Sequence, residues 1–167
     1  MLEIEFHQMA KKENVHWWYI GRRSIIDFFF KKLHIKKNAE ILEIGSGTGS
    51  NIDLLNKYGN LSLLEPNNIA YQYLKKKKIN KKKIKIGSCP DNLNYTNKFD
   101  IVCLFDVLEH INQDRLTLKK ISHILNINGY IIITVPAYQW LWSDHDVRLN
   151  HYRRYNFSKL KMLIPEN

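Results

Sequence analysis

The sequence predicts an α/β domain of the doubly wound kind, a mostly parallel sheet with helices on both faces and N-terminal helices capping one edge. Three observations carry this expectation. Short apolar runs alternate with stretches of helical spacing, as where Ile41, Leu42 and Ile44 give way to Ile52, Leu54 and Leu55. The join between them holds Gly45, Gly47 and Gly49, the composition of a tight strand-to-helix turn. A second apolar run, residues 61–64, ends in Glu65, a carboxylate at the spacing from which a neighbouring strand reaches ribose hydroxyls held over such a turn.

Length and composition agree with one domain. The chain has 167 residues, 44% hydrophobic and 25% charged, enough for a substantial core. It divides into a helical cap at 1–37, a binding core at 38–135, and a loop with a final helix at 136–167. The apolar runs are strand-length, so no membrane span is expected, and Glu3, Glu5 and His7 stand where a signal peptide would be basic and then apolar. The expected location is cytoplasmic. Cys89 and Cys103, the latter inside an apolar run, fit a reducing compartment better than a disulfide framework. Much of the net charge of +10 lies in the lysines at 75–78 and 81–83. Lysines suit a helix C-terminus and a solvated loop, and no aromatic residue interleaves these, so nucleic acid is not the expected partner.

In chain order, residues 1–12 read as a short helix. Ile20, Ile25, Ile26, Phe29, Phe30 and Leu33 form an apolar stripe at helical spacing, preceded by the aromatic and basic cluster His16-Trp17-Trp18-Tyr19-Ile20-Gly21-Arg22-Arg23. From Asn51 the pattern Ile52, Leu54, Leu55, Tyr58 is helical. Pro66 opens a helix over 67–78 with Ala70, Tyr73 and Leu74 inward. Residues 83–86 form a short strand ending at Gly87-Ser88-Cys89-Pro90. Residues 99–105 form a fourth strand, apolar on both faces apart from Asp100, as burial between two helix layers requires. Leu116, Ile121, Ile124 and Leu125 mark another helix, ending before Asn128-Gly129. Residues 130–135 form a fifth strand stopped by Pro136, and 157–164 begin a further helix.

Taken together, Leu42-Glu43-Ile44-Gly45-Ser46-Gly47-Thr48-Gly49, Leu64-Glu65-Pro66-Asn67, Phe99-Asp100-Ile101-Val102 and Asp106-Val107-Leu108-Glu109-His110 resemble the class I S-adenosylmethionine-dependent methyltransferases, in that family's order. The resemblance implies a Rossmann-like methyltransferase fold with S-adenosylmethionine as cofactor. It implies cofactor-binding positions at Glu43, Gly45, Ser46, Gly47, Gly49, Glu65, Pro66, Ser88, Cys89, Phe105 and Asp106, with an N-terminal helix packed over them. Ser88 departs from the family, which usually carries an acidic residue there to read the adenine edge; Asp91 is the nearest carboxylate. The family also adds two antiparallel strands at the sheet edge that are lacking here. The fifth strand is therefore expected to expose an edge and to favour self-association. Other readings of the same residues are a catalytically silent S-adenosylmethionine-binding subunit, a truncated family member, and a nucleotide-dependent oxidoreductase.

Residues 140–155 follow the carboxyl end of the fifth strand, where open α/β sheets bind ligands. His145 beside Asp146 offers a base with an orienting carboxylate, His151 offers a second base, and Arg153-Arg154 offers a fork for an anion. The segment resembles the His-Asp, then His-x-Arg-Arg-Tyr loop of a methyltransferase subgroup, which implies a small-molecule, lipid or glycan-type acceptor beneath it. His145 or His151, oriented by Asp146, is the expected general base. His110 is expected to pack under its turn. His145, Asp146 and His151 lack a fourth ligand and a regular scaffold for zinc, so no metal centre is expected.

Overall fold

The structure is a computed structural model and describes residues 3–165. Five strands, β1 (Ala39–Ile44), β2 (Gly59–Glu65), β3 (Ile84–Ile86), β4 (Phe99–Phe105) and β5 (Leu125–Thr134), form one sheet in the order β3-β2-β1-β4-β5. Every pairing is parallel. Helices α1 (Glu3–Lys12) and α2 (Trp17–Lys32) precede the sheet; α3 (Ile52–Leu55), α4 (Asn68–Lys76), α5 (Asp114–Ile124), α6 (Asp144–Arg148) and α7 (Phe157–Lys161) follow. Met1 and Leu2, part of the expected first helix, lie outside the described residues.

Strand pleating sorts the core into two layers. Ile41 of β1, Leu61 and Leu63 of β2, and Ile101 and Cys103 of β4 pack against α2, α3 and α4 through Ile26, Phe30, Leu55 and Leu74. Leu42, Ile44, Leu64, Val102 and Leu104 face the other way, onto Leu118, Ile121 and Ile124 of α5 and onto Tyr155. The chain winds from β1 outward to β3, returns at β4 beside β1, and winds outward again to β5. The reversal between β1 and β4 places a crevice at the strands' carboxyl ends.

Several expectations change in detail. The α2 stripe is narrower than its spacing suggested: Ile26 and Phe30 are buried, whereas Ile20, Ile25 and Phe29 are 44–59% exposed. A single i, i+4 ridge meets the sheet, and nothing among the described residues covers the flanks. The helix after the glycine turn is one turn long. In α5, Thr117 and Leu118 face inward and Leu116 faces solvent. β5 begins at Leu125 instead of Tyr130, with a register shift between Phe99 and Ile101. Asp100 lies at that shift, where its carboxylate accepts from Glu40 N and Asn126 Nδ2 and pairs with Lys36. These partners hold its pKa below the usual carboxylate value in spite of burial.

Among the described residues β5 pairs with β4 alone, so its outer side is a sheet edge. No helix of the described residues is long and apolar enough to cross a membrane. The lysine runs are partly engaged: Lys77 pairs with Glu13, Lys83 with Glu40, and Lys75 and Lys76 lie over the rings of Tyr71 and Tyr73.

Candidate functional site

The glycine turn leaves β1 at the strands' carboxyl edge. Gly45 has φ +68°, and a Cβ there would lie 2.5 Å from Val107 Cγ2, so glycine lets this turn pack against the turn after β4. Gly47 has φ +53°, and its Cβ position meets only the Met9 sulfur at 3.3 Å. The side of the turn toward α1 is thus closed by the end of the Met9 side chain. The Gly47 N–H donates to Glu65 Oε2 at 2.7 Å and the Asn67 N–H to Oε1 at 2.9 Å, which locks the carboxylate at the end of β2 against the turn. Burial raises the Glu65 pKa, opposed by these two donors.

Glu43 is 1% exposed and accepts from Asn51 Nδ2 at 2.7 Å. Its other oxygen, and Asn51 Oδ1, are buried without a hydrogen-bond partner. Burial pushes the Glu43 pKa up to about 7. Ser46 donates to the Glu43 carbonyl. Pro66 and Ser88 are exposed, and the Ser88 N–H is turned inward to Asn92 Oδ1. The Cys89 thiol is pushed up to about 12 by burial, which makes it a poor nucleophile. Phe105 is buried at the end of β4.

Asp106 follows Phe105 with φ +56°, unusual for a residue with a side chain. Its N–H donates to the Thr134 carbonyl and its Oδ1 accepts from Thr134 Oγ1, which fixes the turn to the end of β5. Its Oδ2 pairs with Arg22 of α2, and that guanidinium stacks 4.5 Å over Trp18. Residues 16–23 thus reach the carboxyl edge through Arg22. A second tie was not anticipated from the sequence: Glu13, 2% exposed, accepts from Thr48 Oγ1 and Lys77 Nζ, while its carbonyl accepts from Arg23. A lone glutamate between two helices gives no local signal of burial.

The loop after β5 folds back onto the same edge. Asp146 is fully buried and accepts from Ser143 N, from His151 Nδ1 at 2.8 Å, and from Arg154 Nε and Nη2 at 2.8 and 2.7 Å. Arg154 leads the causes that hold its pKa well below the usual carboxylate range. The structure therefore joins Asp146 to His151 and leaves His145 exposed, its side chain away from that carboxylate. Adjacent residues of a helix point in different directions, which is why the expected His145–Asp146 pair does not form. Both arginines are also committed, Arg154 to Asp146 and Arg153 to Asp114 at 2.6 Å, so neither is a free anion clamp. Tyr155, 2% exposed, donates to Asp114 Oδ2 and the Leu108 carbonyl.

These ties bring His151 onto Glu109 and His110 in the 3-10 turn after β4. The two imidazoles meet edge to face, 4.6 Å between centroids. Burial pushes the Glu109 pKa up to about 8, and burial with the neighbouring His151 pushes that of His110 down to about 4. A cleft of about 600 Å³ lies at the opposite, amino end of the strands, beside Lys36, Asp100 and Tyr130, away from all these groups.

Comparison with known proteins bears on the fold and the family. The family model described as "Methyltransferase domain" matches residues 15–166. An uncharacterized protein of Methanocaldococcus jannaschii is 31% identical over 113 residues, covering 66% of this chain and 46% of that protein. The chain thus spans under half the length of that curated relative. Among solved structures, the partner of the Trm112 methyltransferase activator in a Haloferax volcanii complex superposes with TM-score 0.72 at 14% identity, covering 96% of this chain and 70% of that one. DesVI of Streptomyces venezuelae gives 0.68 at 13%, covering 86% and 61%. CalS10, an amino pentose methyltransferase of Micromonospora echinaspora with bound S-adenosylmethionine, gives 0.64 at 14%, covering 82% and 58%. At these identities the superpositions speak for the fold, and the family follows from the match over residues 15–166: the chain belongs to the methyltransferase domain family.

Proposed function

We propose that the chain is an S-adenosylmethionine-dependent methyltransferase acting on a small-molecule, lipid or glycan-type acceptor. The observation that carries the reading is the Gly45–Gly49 turn with Glu65 locked behind it and, at the same edge, the buried oxygen of Glu43 left without a donor. A buried acceptor without a donor fits a ligand that carries an ammonium group. The presence of S-adenosylmethionine in CalS10, on a similar fold, supports the same cofactor here.

Gly45, Ser46, Gly47 and Gly49 would shape the turn it lies against, Glu65 would hold it by its carboxylate, and Glu43, Phe105 and Asp106 would border its amino-acid end. When bound, S-adenosylmethionine supplies a sulfonium methyl carbon that is already an activated electrophile. The chain's remaining tasks are alignment of the acceptor, exclusion of water and handling of one proton. Glu13 and Arg22 fasten the N-terminal helices over the edge and serve the second task. His151 serves the third: with Nδ1 tied to Asp146, its Nε2 keeps the lone pair that can take a proton. The exposed aromatics Tyr138 and Trp140, stacked 6.1 Å apart, offer a flat acceptor or a sugar a platform. The open edge of β5 offers a second copy a strand to pair with, which sedimentation would show.

Calorimetric titration with S-adenosylmethionine and with NAD tests the cofactor. Formation of S-adenosylhomocysteine from labelled cofactor in a host extract tests catalysis. Binding without turnover would make the chain a silent cofactor-binding subunit, and binding of NAD alone would make it an oxidoreductase.

A further inference from the structure

We propose that Glu109, His110 and His151 form a binding site for one divalent transition-metal ion of the zinc class. One potential ligand atom from each residue lies within 4.8 Å of the others. Around a zinc ion with bonds of about 2.0–2.2 Å, tetrahedral ligands sit about 3.4 Å apart, so small side-chain rotations close the set.

Three features beyond proximity point to a cation. Glu109 is 1% exposed, and its Oε2 is buried with no hydrogen-bond partner, although a buried carboxylate oxygen needs a donor or a positive charge. The His151 side chain is 6% exposed, and its Nδ1 is taken by Asp146. That leaves Nε2 with a bare lone pair, in the carboxylate–histidine arrangement that stands behind metal-bound imidazoles. His110 interacts with the backbone at Leu149, which steadies its ring beside His151.

Two imidazoles and one carboxylate favour zinc and its neighbours over magnesium or calcium, which prefer all-oxygen cages. Three protein ligands leave a fourth position open, as in sites that bind a further ligand. The turn carrying Glu109 and His110 directly follows Asp106, so that position belongs to the same carboxyl edge. An ion on His151 Nε2 takes the lone pair that the reading above gives to proton transfer, so the metal-bound form and the His151 general-base form are alternatives; use of the ion to hold an oxygen or nitrogen of the methyl acceptor rests on the methyltransferase reading, and binding of the ion does not.

The test uses the full chain stripped by chelation and then dialysed against Zn²⁺ or Co²⁺. The expected result is one ion per chain by elemental analysis, with the strong visible absorption of low-coordinate Co²⁺. Glu109→Gln, a buried isostere, and His151→Ala should each weaken Zn²⁺ binding tenfold or more, with the fold verified by circular dichroism. His123→Ala, an exposed histidine on α5, should leave it unchanged. Substoichiometric Zn²⁺, or equal affinity in the wild type and Glu109→Gln, would overturn the site. S-adenosylmethionine titration of the same samples separates the two readings: cofactor binding without Zn²⁺ binding sinks the metal site alone, and the reverse sinks the cofactor reading alone.

Discussion

The two ends of the carboxyl edge are built in opposite ways. At the Gly45–Glu65 end the groups come from two adjacent strands, and backbone geometry places them: the tie from Gly47 to Glu65 spans 18 residues and uses an N–H that the turn fixes. At the other end the arrangement depends on side chains meeting across 41 to 47 residues, Tyr155 on Asp114 and on the Leu108 carbonyl, around the buried hub Asp146. A motif can specify the first end. The second exists only once the loop has folded back.

The largest expected effect follows from that hub. Asp146→Ala strands Arg154 and removes the partner of His151, so it should cost about 3–5 kcal/mol of stability, the usual consequence of breaking a buried ion pair. His145→Ala, on the neighbouring exposed position, should stay within about 0.5 kcal/mol. Chemical denaturation of both variants checks the difference, and equal stability would remove the contrast between the two residues.

Function should divide along the same line. With label transfer from S-adenosylmethionine into a host extract as the readout, His151→Ala should lower the rate by roughly 10²–10⁴, while His145→Ala should leave it nearly unchanged. A loss confined to His145→Ala would place the acceptor on the solvent side of α6.

The cofactor end carries its own pH signature. Burial raises the Glu43 pKa from its ordinary 4.5 to about 7, so the folded chain keeps a proton that the unfolded chain releases between these values. This contribution is complete below pH 4.5 and is lost as pH rises toward 7, by an amount on the order of 3 kcal/mol. Glu43→Gln cannot release that proton. The wild-type-minus-variant stability from urea unfolding should therefore fall between pH 4.5 and 7 and be flat above; a constant difference would mean that Glu43 is solvated.

The same division explains what could be read in the sequence. The strands were legible because their apolar runs are local, and the glycine turn and Glu65 because short spacings encode them. The true buried ridge of α2, Ile26 and Phe30, was hidden inside a wider apolar stripe, since spacing does not tell which flank a neighbour covers. Glu13 and Glu109 gave no signal, because a carboxylate is exposed by default and only tertiary contacts bury it. The pairing of Asp146 with His151 instead of His145 was equally invisible, being a choice made by the return of the loop.

If this edge holds S-adenosylmethionine as proposed, Glu65 and the glycine turn are the groups on which binding depends. Calorimetric titration of the wild type and Glu65→Ala with S-adenosylmethionine tests it most directly, alongside a denaturation curve to verify that the variant is folded. The expected result is saturable binding by the wild type and a loss of about 1–3 kcal/mol in the variant, roughly 5- to 150-fold in Kd, from charged hydrogen bonds no longer made. Equal affinity in the two folded proteins would remove Glu65 from the site and leave the proposed cofactor edge without its anchoring carboxylate.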